Sequence, residues 1–291
     1  MTERDTAYYS WRNMKNEDIP RAEQMLRVRE RDCVGACGRF LARDTFRDHV
    51  WLLCGRQGEL SAFLINSKSA LFLVLSDSGS KIMEHIPQPR FLKNILQKKK
   101  IHSAQGLKKD VVLLESELEK MGEKISDIAD YELMELDRQP DIKGFKLGPS
   151  NLVLRIPALT DLDEMAVLHA GYEKEEVVSK GSVFSPVASR VKIAKIIADG
   201  QILAAEICGR LVGKININAV SFTRYQIGGV YVHPGFRGLG IARRMTAEFI
   251  APLIAEGRGV TLFVRKSNAA ARRVYSSIGF SGRADYRITY Y

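Results

Sequence analysis

The chain lacks any apolar stretch near the roughly 20 residues that cross a bilayer as a helix. Its start, MTERDTAYYSWRNMKNED, lacks the apolar core of a secretory signal. A cytoplasmic protein with no membrane partner is therefore expected. Cysteine is scarce: Cys33, Cys37, Cys54 and Cys208 are the only four in 291 residues. No histidine or second cysteine pair follows them at zinc-site spacing, so free buried thiols are expected and a metal is not. The Gly-x-x-x-x-Gly-Lys-Ser/Thr pattern of a P-loop is missing, and the glycine-rich loop near residue 238 lacks the Gly-x-Gly-x-x-Gly of a dinucleotide fold. The basic run Lys98-Lys99-Lys100 is short and has no aromatic residues interleaved with it. A solvated face fits it better than a nucleic-acid patch, and nucleic acid is not an expected partner.

What remains is a basic, globular composition. The net charge of +10 favours anionic partners. A chain of 291 residues exceeds a typical single domain. The segment Gly144-Phe-Lys-Leu-Gly-Pro-Ser150 punctuates it as a linker would. Domains are expected at 1–143 and 151–291, joined by 144–150.

The second half reads as α/β. Strands are expected at 152–157, 202–207, 211–219, 226–232, 260–264 and 285–290. Thr160, with Asp163 three residues on, has the form of a capping box opening a helix. Further helices are expected over 186–198, after Gly240, and over 268–278, the last closed by Gly279. The first half shows strands at 50–53, 60–65 and 70–75. Cys-Gly-Arg occurs at 54–56 and again at 208–210, between two expected strands each time. This raises the expectation of one fold used twice. The last strand, Asp285-Tyr-Arg-Ile-Thr-Tyr290, alternates and is aromatic, which suits either a core strand or the edge of a homodimer.

Two stretches carry chemistry. In Val230-Tyr-Val-His-Pro-Gly-Phe-Arg-Gly-Leu-Gly-Ile-Ala-Arg-Arg244 a strand leads through glycines into a helix. The unpaired N–H groups and positive dipole end of such a helix form a ready pyrophosphate site. Downstream, Asn268-Ala-Ala-Ala-Arg-Arg-Val-Tyr-Ser-Ser-Ile-Gly-Phe280 places a cap at Asn268 and Tyr275 two turns along the same face.

Arg237-x-x-Gly240-x-Ala242 resembles motif A of the GCN5-related N-acetyltransferases (GNAT). Asn268-x-x-Ala271-x-x-x-Tyr275-x-x-x-Gly279-Phe280 resembles their motif B. The resemblance covers residues 151–291. It implies a mixed, mostly antiparallel sheet flanked by helices, in tandem if the first half is a degenerate copy. At an offset of 154 residues the cradle falls on Met83-Glu84-His85-Ile86, which has no glycine. The resemblance also implies an enzyme with acetyl-CoA as co-substrate, held in a gap between strands 226–232 and 260–264. Main-chain groups of Val230, Tyr231 and Val232 are then expected on the pantetheine arm. The N–H groups of Arg237, Gly238, Leu239, Gly240, Ile241 and Ala242 are expected on the pyrophosphate. Asn268 and Ala271 are expected on the cofactor from motif B, and an N–H near Val232 on the oxyanion. Tyr275 takes the place of the family's general acid. For the base, Glu175 ranks ahead of Glu173, Glu176, Glu206 and His233. Arg243, Arg244, Arg272 and Arg273 are further candidates for CoA phosphates. The expected acceptor is a primary amine on a small molecule or protein. The alternatives are a non-catalytic acyl-CoA sensor and a tandem transferase using a tRNA-linked donor; the intact cradle argues against the latter.

Overall fold

The computed structural model describes residues 9–43, 48–77, 79, 101–145, 148–179 and 182–291. The basic run at 98–100, the segment 83–86 and residues 146–147 of the expected linker lie outside them. The chain forms two compact units, Met1–Tyr131 with Ala284–Tyr291, and Glu132–Arg283. This differs from a division at 144–150. A strand of ten residues, Asp127–Leu136, runs through the point of division, and the glycine-rich stretch after it lies inside the second unit. The last eight residues belong to the first unit because Tyr286–Tyr290 pair there with Ser103–Leu107.

The first unit contains β1 (Ser10–Asn13), α1 (Ile19–Arg29), α2 (Val34–Leu41), β2 (His49–Cys54), β3 (Leu60–Ser67), β4 (Ala70–Leu75), β5 (Ser103–Leu107), α3 (Lys108–Lys120) and the start of β6 (Asp127–Leu136). Strands β1 to β4 are antiparallel neighbours, and β4 pairs with β5 in parallel. Leu53, Leu64 and Leu73 from the sheet pack with Val111, Leu114 and Leu118 of α3. The four cysteines are free thiols. Cys33 and Cys37 are buried with their sulfurs 3.6 Å apart, and that contact together with burial raises the Cys33 thiol well above its ordinary value.

The second unit contains β7 (Leu152–Arg155), α4 (Leu162–Tyr172), α5 (Pro186–Ala198), β8 (Ile202–Ile207), β9 (Arg210–Val220), β10 (Arg224–Val232), α6 (Ile241–Ala255), β11 (Gly259–Arg265), α7 (Ala269–Ser277) and the start of β12 (Ser281–Tyr290). Its strands run β7-β8-β9-β10 antiparallel, then β10-β11 parallel. This is the order and sense of β1 to β5, so one fold is used twice. The two Cys-Gly-Arg segments sit at corresponding hairpins, yet they turn differently. Cys208 and Gly209 form a two-residue turn with φ of 50° and 77°, whereas the β2–β3 connection closes over a wider loop from Gly55 to Glu59.

Helices cover both faces of the second sheet. Met165 and Leu168 of α4 and Ile193 and Ile197 of α5 pack on Ile202, Leu211 and Tyr231. Ile241, Met245 and Ile250 of α6 pack on Val212, Ile215, Ile227 and Val260 from the other side. The N-cap of α4 is Asp161, one residue beyond the expected Thr160. Arg155 grips Asp161 with two bonds of 2.7 and 2.9 Å, and Asp161 accepts the Ala158 N–H. A short 3-10 turn therefore precedes the helix, and Asp163 pairs instead with Arg190. Among the described residues no helix is long and apolar enough to cross a membrane.

Candidate functional site

The site begins where the sheet opens. Strands β10 and β11 pair only from Arg224 to Gln226 and then separate. On the other side of β10 the register with β9 shifts between Gly228 and Tyr231, so Gly229 and Val230 form a bulge without ladder partners on β9. Gly229 has φ of 62°, a conformation that disfavours other residues.

Beyond β10, His233–Phe236 makes a short turn, Arg237 is extended, and Gly238 and Gly240 take φ of 78° and 83°. Gly240 is the N-cap of α6. The first N–H groups of a helix have no partners within it, and here they border open space rather than core. Across the gap, Asn268 caps α7 by accepting the Ala271 N–H at 3.0 Å. Tyr275 follows on the inner face of α7, 7% exposed, edge-on to Phe280. Burial raises its phenol well above the ordinary value, with Tyr172 and Glu176 adding to the rise, so it is a neutral O–H at pH 7.

An acidic turn, Glu173–Val177, fastens the two sides. Glu175 accepts from Arg237 at 2.8 and 3.0 Å and from the Tyr231 hydroxyl at 3.1 Å. Glu176 accepts from the Asn268 side chain at 2.9 Å, and its carbonyl accepts from Arg265. Arg237 also donates to the Val232 carbonyl at 2.9 Å. Together these elements enclose a cavity of about 370 Å³. It is lined by Glu175, Val230, Tyr231, Val232, Arg237, Gly238, Gly240, Ile241, Ala242, Asn268, Ala271 and Tyr275. Leu239 alone of the residues expected here is not among those lining the cavity; its side chain packs against the core.

Of the other candidates, Glu176 also lines the cavity, and four are engaged elsewhere. Glu206 pairs with Arg155, His233 accepts the Gly235 N–H, Arg244 pairs with Glu248, and Arg272 pairs with Glu132. Arg243 lines the cavity while donating to Ser277 and lying over Phe145. Glu173 is buried, 2.9 Å from Lys192 and 3.5 Å from His169. Burial pushes its carboxyl up, but the Lys192 bond and neighbouring charge carry it below the ordinary value. No group of three side chains that could hold a metal ion occurs among the described residues.

Behind the bulge lies a polar group that motif reading misses. Lys214 of β9 is fully buried. Its ammonium donates to the Gly229 carbonyl at 2.8 Å and to Asn216 Oδ1 at 3.3 Å, and lies 4.6 Å from the centre of the Tyr172 ring. Burial lowers its pKa to about 7. His169, also buried, has its pKa lowered by burial and then by the Lys214 charge. The available signal is the alternation Lys214-Ile-Asn-Ile-Asn218, which puts three polar side chains on one face of an inner strand.

Residues 174–280 match the model of the acetyltransferase (GNAT) family, so the second unit carries a domain of that family. A stretch of 86 residues is 37% identical to the N-alpha-acetyltransferase RimI of Mycobacterium tuberculosis, spanning 28% of this chain and 52% of that protein. The chain thus spans about half the length of that relative. A GCN5-related N-acetyltransferase from Sphaerobacter thermophilus has a similar fold, with a TM-score of 0.61, 17% identity and coverage of 97% of this chain and 94% of that one. A tandem GNAT protein from the clavulanic acid biosynthesis pathway gives a TM-score of 0.59 at 13% identity, covering 97% of each chain. The two structural likenesses extend over nearly the whole chain and agree with the repeated strand order.

Proposed function

We propose that the second unit moves an acetyl group from acetyl-CoA to a primary amine by direct attack. The observation that carries this reading is the continuity of one cavity. It joins the helix N-terminus at Gly240, the separated edge of β10 and the neutral phenol of Tyr275. The anion-binding character of a helix N-terminus suits a pyrophosphate. The opened strand edge offers main-chain groups to an amide-bearing arm such as pantetheine.

The amine nitrogen attacks the thioester carbon and the C–N bond forms. The carbonyl oxygen gains charge and is stabilised by a main-chain N–H of the bulge. The C–S bond breaks, and Tyr275 gives its proton to the departing thiolate. Glu175, at the cavity wall and held by Arg237 and Tyr231, is the carboxylate we assign to receive the amine's proton. The name of the mycobacterial relative supports an α-amino group as acceptor.

The test is calorimetric titration with acetyl-CoA, then thiol release with three probes: peptides bearing a free α-amine, the same peptides blocked, and small amines. Acetyl-CoA binding and release that requires the free peptide amine is the expected result. Binding without release by any amine points to a sensor, and no binding overturns the cofactor reading. Glu175→Gln is expected to slow release about 10²-fold. An unchanged rate would leave Glu175 as an anchor for Arg237 only.

A further inference from the structure

Lys214 is an expensive residue to keep, because a fully buried ammonium loses its hydration and needs replacement partners. Yet it does not line the cavity, and neither motif contains it. Its main partner is the carbonyl of Gly229, at the centre of the bulge. A side chain at 229 would collide with Asn216 Oδ1 and stand 2.7 Å from the Lys214 amine, so the contact depends on glycine. Asn216 in turn donates to Asn218 Oδ1 at 2.8 Å, which fixes the acceptor that Lys214 uses second.

The Gly229–Val230 peptide is trans, like every other described peptide. In a trans peptide the carbonyl and the following N–H point in opposite directions. Lys214 pulls the carbonyl of 229 toward the α4 side, where its ammonium faces Tyr172. The N–H of Val230 is thereby turned the other way. Val230 lines the cavity, and within the bulge it has no register partner on β9.

From this geometry we propose that Lys214 is a positioning residue: by holding the Gly229 carbonyl it aims the Val230 N–H at the acyl carbonyl bound in the cavity. The inference rests on acetyl-CoA as the ligand and names the donor that the proposed reaction needs. The groups facing Lys214 set its charge: His169 and Tyr172 on α4, Glu173 on the acidic turn and Lys192 on α5. The hydrogen bond itself requires only an N–H, which both the charged and the neutral amine possess.

The test reads the hydrogen bond directly and needs no acceptor. The probe is acetyl-CoA carrying ¹³C at the carbonyl, observed by isotope-edited infrared difference spectroscopy on wild type, Lys214→Met and Lys214→Gln. In the wild type the carbonyl stretch is expected below its value in solution. In Lys214→Met, which fills the same volume without a donor, that downshift is expected to disappear while acetyl-CoA affinity changes less than about threefold. In Lys214→Gln, a neutral donor, part of it returns. An unchanged downshift in Lys214→Met with binding intact would overturn the role of Lys214. Failure of the wild type to bind acetyl-CoA would instead overturn the cofactor reading beneath it.

Discussion

Tyr275 and Lys214 show how burial sets protonation in this site. Tyr275 stays protonated to higher pH than an exposed tyrosine because desolvation disfavours its phenolate. Tyr275→Phe removes only the O–H, so kcat is expected to fall about 10²-fold while the KM for acetyl-CoA stays within twofold; steady-state thiol release checks this. Lys214 moves the other way, from 10.5 to about 7. Between those pH values the unfolded chain binds the proton and the folded chain does not, so stability rises with pH across the window. The rise in melting temperature from pH 7 to 9.5 is expected to be smaller in Lys214→Met than in wild type. Equal slopes would mean that Lys214 keeps its ordinary proton affinity.

Among the elements, the cradle loop and α7 are the most local in their determinants and were the easiest to read. Gly240 lies at the start of α6 as the glycine spacing requires, and Asn268 caps α7 through an ordinary Asx contact. Gly240→Ala would place a Cβ in the left-handed region at a cost of about 1–2 kcal/mol. Either the loop bears that strain or the first N–H groups of α6 turn away. Acetyl-CoA affinity is expected to fall about tenfold, measured by calorimetry. The bulge at Gly229 was not legible, because strand pattern has a period of two and cannot show where one ladder gains an extra residue. The start of α4 was misread for a related reason. Thr160 satisfies the local rule for a cap, but Asp161 is captured by Arg155 from the preceding strand. The role of Lys214 was hidden for the same reason, since its partner Gly229 is fifteen residues away.

For the whole molecule, repetition of the fold could be anticipated from a shared tripeptide, but the division of the chain could not. Strand exchange is a long-range pairing, and no local composition marks it. Residues 132–136 of β6 belong to the second unit, and 284–291 belong to the first. A fragment of residues 151–291 therefore lacks a strand that borders β11 and carries one that has lost its neighbour β5. That fragment is expected to aggregate on expression. The chain lacking 284–291 is expected to lose protection chiefly in β4, β5 and α3, with β8 to β10 retained. Hydrogen exchange resolves the two: uniform loss across both units would show that the terminal strand supports more than its own sheet.

The early end of the β10–β11 ladder has a further meaning. Where a ligand is recognised by main-chain atoms at an unzipped seam, most single substitutions leave the recognising groups in place. Such a seam is robust to drift in the residues around it. It is silenced by restoring the missing ladder or by filling the bulge, so recognition at the seam itself is lost abruptly rather than by degrees.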